Sequence, residues 1–383
     1  MSQSVVESTE NHSFESRSLD NLPGPDAREV AAEYARDYLE FMTRCAQEYE
    51  EIVPVRAEGE LFCLLTNPDH IHAVLKDRLL FVKAEDLQVL RGLVGNGLLT
   101  SEGDFWQRQR RLSQPVFHNQ RIRGYADVMV RYTERMLTDW HEGDVLDVHQ
   151  QMMRLTLDIV MKTLFDQDTT DGEASSVARA LDAAMNWYVG REDTCLWMRL
   201  TGFLRDRQYK KAIEALDETL YTMIEHRRKE QLSGDDLLTM LMQMEDADDG
   251  SRMSDRQLRD EAATLILAGH ETTANALSWT WMLLANHPHV QQRLTEELKT
   301  VLDGRSSFGG ASPSPAFSDL PHLVYTDAAI KEAMRLYPPI TDISRKATQD
   351  CNGWIQPHGF FDGGICVNQM RQVGEGRRWR SPP

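Results

Sequence analysis

The stretch Ala268-Gly269-His270-Glu271-Thr272-Thr273 lies inside an apolar run from Ala262 to Leu284, and it decides how the chain is read. The run is apolar on most faces, so a helix built from it belongs in the middle of a domain. Ser254 and Gln257 have the spacing of a capping box, which opens the helix at Asp255; His287-Pro288 closes it after Asn286. Within it, Gly269 costs about 1 kcal/mol against alanine. Thr272 and Thr273 add β-branched stiffness, and Glu271 sets a carboxylate among apolar neighbours. Two readings are open. Either a polar face of the helix passes here, or the helix widens locally, with threonine hydroxyls bonding back to carbonyls and glycine letting a ligand approach the backbone. His270-Glu271 also suggests a zinc-protease pair, but that needs a second histidine at position 274, which is Ala274.

Outward from this helix the pattern stays mostly helical. From Phe105 to about Leu241 apolar residues recur at three and four, as in Met152, Leu155 and Ile159. Ala27 to Tyr49 has the same periodicity, and Asn67-Pro68-Asp69 caps a further helix. Asp319 to Leu336 reads as a helix stopped by Pro338-Pro339. Ile52 to Leu65 is richer in β-branched residues around Gly59, which suggests a small hairpin. Leu22-Pro23-Gly24-Pro25, Glu245 to Gly250 and Arg305 to Ser318 are loops. The expected fold is mainly α with a minor β-sheet part.

Formal net charge is -18, from 42 basic and 60 acidic residues. So acidic a chain repels nucleic acid and anionic membranes, which excludes both as bulk partners. The five cysteines, at 45, 63, 195, 351 and 366, are widely spaced and form neither a disulfide framework nor a metal-ligand pattern. The first 20 residues are polar and expected to be disordered, without the basic start and apolar run of a signal peptide. No stretch reaches the roughly 18 apolar residues that span a bilayer. A cytoplasmic protein with no transmembrane anchor is expected.

The six residues at 268–273, in a long central helix, closely resemble the oxygen-binding helix of cytochromes P450. The resemblance implies that Glu271 and Thr272 relay protons to dioxygen, with Gly269 opening the oxygen groove. Cleaving the O–O bond needs two protons, and a dry site needs a side-chain relay to supply them. Lys331 to Pro339 (KEAMRLYPP) resembles the family's Glu-x-x-Arg helix and the turn after it, which makes Glu332 and Arg335 a structural pair. An acid and an arginine three apart share a helix face. Trp106-Gln107-Arg108-Gln109-Arg110 resembles the Trp-x-x-x-Arg helix, whose tryptophan and arginine meet a haem propionate. Arg345 falls where the family places a further propionate arginine; otherwise it is a surface arginine. The implied activity is a haem-dependent monooxygenase that inserts one oxygen atom into an apolar small molecule. Phe105 to Ala126 holds five arginines and no acid, and this face is expected to receive an electron donor of ferredoxin or flavodoxin type through Arg108 and Arg111. Phe81 to Leu99 and Trp187 to Leu204 are either pocket walls or ordinary core.

The resemblance covers residues 21–359, read as one domain, and 360–383 form an atypical tail. Gly353 to Gly359 (GWIQPHG) resembles the family's next β-turn segment. The family then needs a loop of the form Phe-x-x-Gly-x-x-x-Cys-x-Gly. Phe361-Asp362-Gly363-Gly364 matches its first four positions, but the cysteine position is Asn368, and Cys366 stands two residues early. No metal ligand is therefore assigned; the expected axial cysteine is absent, and the fold is expected to be incomplete at its C-terminus. A tail of this composition fits a shifted reading frame or a truncated gene. The alternative to the enzyme is an inactive remnant that at most binds haem or an apolar ligand.

Overall fold

The computed structural model describes residues 22–49, 51–57, 60–168, 172–189, 196–230, 236–246, 248–302, 314–349 and 364–368. The expectations for 1–20, for the Gly353–Gly359 turn and for Cys195 and Cys351 lie outside these residues. Two compact units are present. Unit 1 holds the described residues up to Ala84 and from Asp342 onward; unit 2 holds Glu85–Thr341.

Unit 1 contains α1 (Ala27–Arg36), α2 (Tyr38–Glu48), β1 (Ile52–Ala57), β2 (Glu60–Leu65), α3 (Pro68–Lys76) and β3 (Phe81–Lys83). The stretch 27–49 that scans as one helical pattern is two helices. Asp37 is extended, at φ -157, and its carboxylate caps the second helix by accepting from Glu40 N at 2.9 Å. The hairpin forms as expected, running in register from Ile52↔Leu65 to Ala57↔Glu60. Its side chains alternate. Val53, Val55 and Leu64 pack with Phe41, Met42 and Cys45, whereas Cys63 and Leu65 pack with Val74. Pro54 is tolerated because β1 is an edge strand.

Two later strands, β4 (Asp342–Ala347) and β5 (Gly364–Asn368), complete a five-stranded sheet of order β1-β2-β5-β4-β3. β5 runs parallel to β2 and antiparallel to β4. Five residues of the stretch read as an atypical tail thus form an interior strand.

Unit 2 is helical. It comprises α4 (Glu85–Val89), α5 (Arg91–Val94), α6 (Gly103–Ser113), α7 (Asn119–Thr138), α8 (Val148–Phe165), α9 (Gly172–Val189), α10 (Leu196–Glu230), α11 (Leu237–Gln243), α12 (Asp255–Asn286), α13 (Pro288–Leu302) and α14 (Val324–Leu336). Its main core joins α8, α9, α10, α11 and the first half of α12 through Met161, Phe165, Leu181, Leu216, Leu220, Leu238 and Ile266, each at most 2% exposed. Full burial of each aliphatic side chain is worth about 1.5–3 kcal/mol. α12 has the bounds read from the sequence, and its capping box is formed: Gln257 N donates to Ser254 Oγ at 3.3 Å, and Ser254 N to Gln257 Oε1 at 2.8 Å.

α14 starts later than the Asp319 read from the sequence. Residues Phe317–His322 form a separate 3₁₀ turn, and Leu323 leaves helical geometry at φ -89, ψ 56. A cap from another helix sets the new start. Glu297 of α13 accepts from Tyr325 N at 2.7 Å, and from Thr326 N and Oγ1 at 2.8 and 2.7 Å. Partial burial opposes ionisation of this carboxyl, but the backbone and hydroxyl donors of 324–326 outweigh it and hold its pKa below the usual value. A depressed carboxyl stabilises the fold above its unfolded pKa and loses that contribution as pH falls through the folded value. Glu297→Ala is expected to cost about 0.5–2 kcal/mol at neutral pH, as loss of a helix cap does. The gap from the parent should close below the ordinary carboxylate range. Urea melts of both chains across pH measure it, and a pH-independent gap would contradict this role.

Candidate active site

α8 and α12 run antiparallel and close. Ser278 Oγ lies 3.4 Å from His149 Nδ1, and the Thr156 hydroxyl donates to the His270 carbonyl at 3.0 Å. A Cβ on Gly269 would stand 3.1 Å from Val160 Cγ2. The missing side chain of Gly269 therefore points at α8. Here the glycine lets two helices approach closely. α12 is α-helical throughout, so the motif sits in an unbroken helix without local widening. His270 is 4% exposed and bonds the Met153 backbone; burial pushes its pKa below the usual histidine value.

The other side of the motif is open. Leu258 to Leu267 is buried apart from half-buried Leu265, and then Ala268 and Thr273 are exposed while Glu271 and Thr272 are half-buried. Burial raises the Glu271 carboxyl above its usual pKa; His149 lowers it and Asp182 raises it further. The Thr272 hydroxyl donates to the Ala268 carbonyl at 2.6 Å, the back-bonding read from the sequence. Its proton is committed there, so in this arrangement its oxygen only accepts.

α6 presents three faces. Trp106 and Arg110, one turn apart, share one of them, with the guanidinium 5.2 Å from the indole centroid. Gln109, Leu112 and Ser113 are buried on the second. Arg108 and Arg111 share the third, where both pair with Asp246, at 2.9 and 2.7 Å; the Asp246 side chain is 2% exposed. Arg111 is half exposed and also pairs with the exposed Asp248 at 2.7 Å, so acids of the 246–248 turn match much of the charge of these two arginines. One residue of each stretch expected to wall a pocket touches Tyr209, which belongs to neither. Tyr209 stacks on Trp187 at 4.0 Å, and a Cβ on Gly92 would overlap the Tyr209 hydroxyl.

Glu332 and Arg335 form a two-pronged pair, 2.7 and 2.8 Å, at 12% and 20% side-chain exposure. The bond to Glu332 raises the arginine's pKa. The neighbouring Ala333 and Leu336 pack on Leu283 of α12, and Trp279 stacks on Tyr337 at 4.4 Å. Arg345 is half-buried on β4 in unit 1, opposite Lys83 and Ile365, with Nη1 donating to the Ser344 carbonyl at 2.7 Å.

A profile of the cytochrome P450 family matches residues 30–352. The chain belongs to the cytochrome P450 family. It is 30% identical to a cyclooctatin synthase of Streptomyces melanosporofaciens, over 82% of this chain and 67% of that protein. It is also 30% identical to a pentalenene oxygenase of Streptomyces avermitilis, over 82% and 68%. To a human ultra-long-chain fatty acid omega-hydroxylase it is 28% identical, over 78% and 60%. By family this P450 is an oxidoreductase of the monooxygenase class, and haem iron is the cofactor implied.

The fit to haem is uneven. The uncovered face at 268–273 and the outward Trp106–Arg110 pair suit the distal side and a carboxylate edge. Among the described residues no cysteine is placed to serve the axial side. Cys45 and Cys63 are fully buried, and burial pushes their thiols up to about 11 and about 12, so both stay protonated. Cys366 is the middle residue of β5, with backbone partners Leu64 and Ser344 on either side, not part of a glycine-bounded loop. Among the described residues no group of three or more His, Cys, Asp or Glu could hold a metal.

The sequence did not point to Asp246, Gln109, Asp260 or Glu261, nor to His149 and Asp182 beside Glu271. The partners of Glu261 are 163 and 152 positions away, beyond the reach of any local pattern. The helix approach gives a direct check. Gly269→Leu should destabilise the chain by about 1–3 kcal/mol through overpacking, and Val160→Ala in the same chain should recover part of that. Denaturant titration measures both; a neutral Gly269→Leu would rule out the close packing.

Proposed function

We propose that this P450 inserts one oxygen atom of dioxygen into an apolar small molecule, with Glu271 and Thr272 handling protons on the open face of α12. The observation that carries this reading is a half-buried carboxyl, its pKa raised by burial, beside a hydroxyl, at the point where the buried run Leu258–Leu267 of α12 gives way to half-buried and exposed residues. A raised pKa keeps the Glu271 proton available nearer neutral pH. The Thr272 oxygen, whose own proton is held by Ala268, can accept from a neighbour. Gly269 contributes by letting α8 approach. Trp106 and Arg110 would meet a haem carboxylate; Glu332 and Arg335 brace the α14 helix. An apolar substrate suits the names of the relatives, since an ultra-long-chain fatty acid is mostly hydrocarbon.

Two electrons would come from a ferredoxin- or flavodoxin-type donor. With Arg108 and Arg111 held by Asp246, the exposed arginines left in the basic stretch are Arg110 and Arg123. A cytoplasmic location belongs to the same reading; among the described residues no helix is long and apolar enough to cross a membrane.

The lack of an axial cysteine among the described residues favours a second reading, a chain that binds haem or an apolar ligand without oxygen insertion. One spectrum separates them. Purified chain supplied with haem, reduced and exposed to carbon monoxide should show the long-wavelength Soret band of a haem-thiolate if the first reading holds. An ordinary haem band, or none, contradicts it and leaves the second.

A further inference from the structure

Three buried acids converge on one short segment of unit 2. Glu261, fully buried on α12, accepts from Leu98 N at 3.1 Å and from Gln109 Nε2 at 3.2 Å, and Gln109 is also fully buried. Asp260, 5% exposed, accepts from Asn96 N at 2.8 Å and from Arg259 Nη1 at 3.1 Å. Asp246 takes Arg108 and Arg111, while the Arg108 fork also reaches Ser251 Oγ at 2.6 Å. The loop is shaped for this approach. Gly95 is left-handed, at φ +62, and a Cβ there would overlap the Asp260 carboxylate; a Cβ on Gly97 would stand 2.7 Å from the Asp260 carbonyl oxygen.

These bonds hold residues 96–111 at separate points and on two faces of α6. Gln109 ties the buried face to α12, and Arg108 with Arg111 ties the side face to the turn around Asp246. A helix held on two faces cannot rotate about its axis, so its third face is fixed. That face carries Trp106 and Arg110.

We propose that Asp246, Asp260 and Glu261 are positioning residues that set the rotation of α6 and so aim the Trp106–Arg110 pair. What that pair binds rests on the haem reading above; the aiming itself does not. Buried acids are costly unless their oxygens are satisfied, which is why all three acids sit against fixed donors.

The test reads Trp106 itself. The chain has eight tryptophans, and ¹⁵N-indole labelling with Trp106→Phe identifies the signal of Trp106. Gln109→Glu places a second carboxylate against Glu261, and the Trp106 indole signal should then move more than the other seven. The exchanged pair Gln109→Glu/Glu261→Gln restores both bonds, because the amide now on α12 can donate to the carboxylate now on α6 and accept from Leu98 N. Its Trp106 signal should return to the parent position. If Gln109→Glu alone does not fold, Asp246→Asn supplies the comparison from the side face and should move the same signal. A Trp106 signal that stays put in folded single variants, or fails to return in the exchanged pair, overturns the proposal. Haem titration of Arg110→Ala addresses the other reading: unchanged uptake sinks the carboxylate role of Arg110, with the Trp106 result still deciding the aiming.

Discussion

The close approach of α8 and α12 at Gly269 governs the rest of unit 2. A side chain on that face would press on Val160, beside the point where the Thr156 hydroxyl donates to the His270 carbonyl at 3.0 Å. Because a helix is rigid, choosing the face that meets α8 also chooses the face that does not. His270 turns inward and is kept neutral by burial. Ala268 and Thr273 stay exposed, with Glu271 and Thr272 at the margin. The glycine thus acts on Glu271 and Thr272 through the orientation of the helix, without touching them.

The same helix anchors a second element. Its first turns carry Asp260 and Glu261, which hold the loop before α6, and its middle carries the motif. Within unit 2, the proposed proton-handling residues and the segment bearing Trp106 and Arg110 therefore share one rigid support. Pairing a buried carboxylate with backbone N–H and amide donors returns roughly what its removal from water costs. The gain is a defined geometry more than stability.

Much of this was legible in the sequence, and where it was not the reasons are physical. The bounds of α12 were readable because its cap, Ser254 with Gln257, and its stop, His287-Pro288, are local signals. The β1–β2 hairpin followed from β-branched runs on either side of Gly59, and the Glu332–Arg335 pair from helix spacing. Elements set by distant contacts were not readable. The start of α14 depends on Glu297, and the fate of Arg108 and Arg111 depends on Asp246, at least 135 positions away. Gly269 was visible as an anomaly, but only the position of Val160 shows which neighbour required it. The interior strand Gly364–Asn368 was hidden because its partners, β2 and β4, lie far apart in the chain.

The central claim is that packing on α8 leaves Glu271 buried enough to retain its proton beyond the ordinary range. Titration of the Glu271 side-chain carbon by ¹³C NMR, assigned with Glu271→Gln, tests this most directly. The midpoint is expected above the usual glutamate value of about 4.3. A midpoint at or below that value would show an ordinary solvated carboxylate and contradict it.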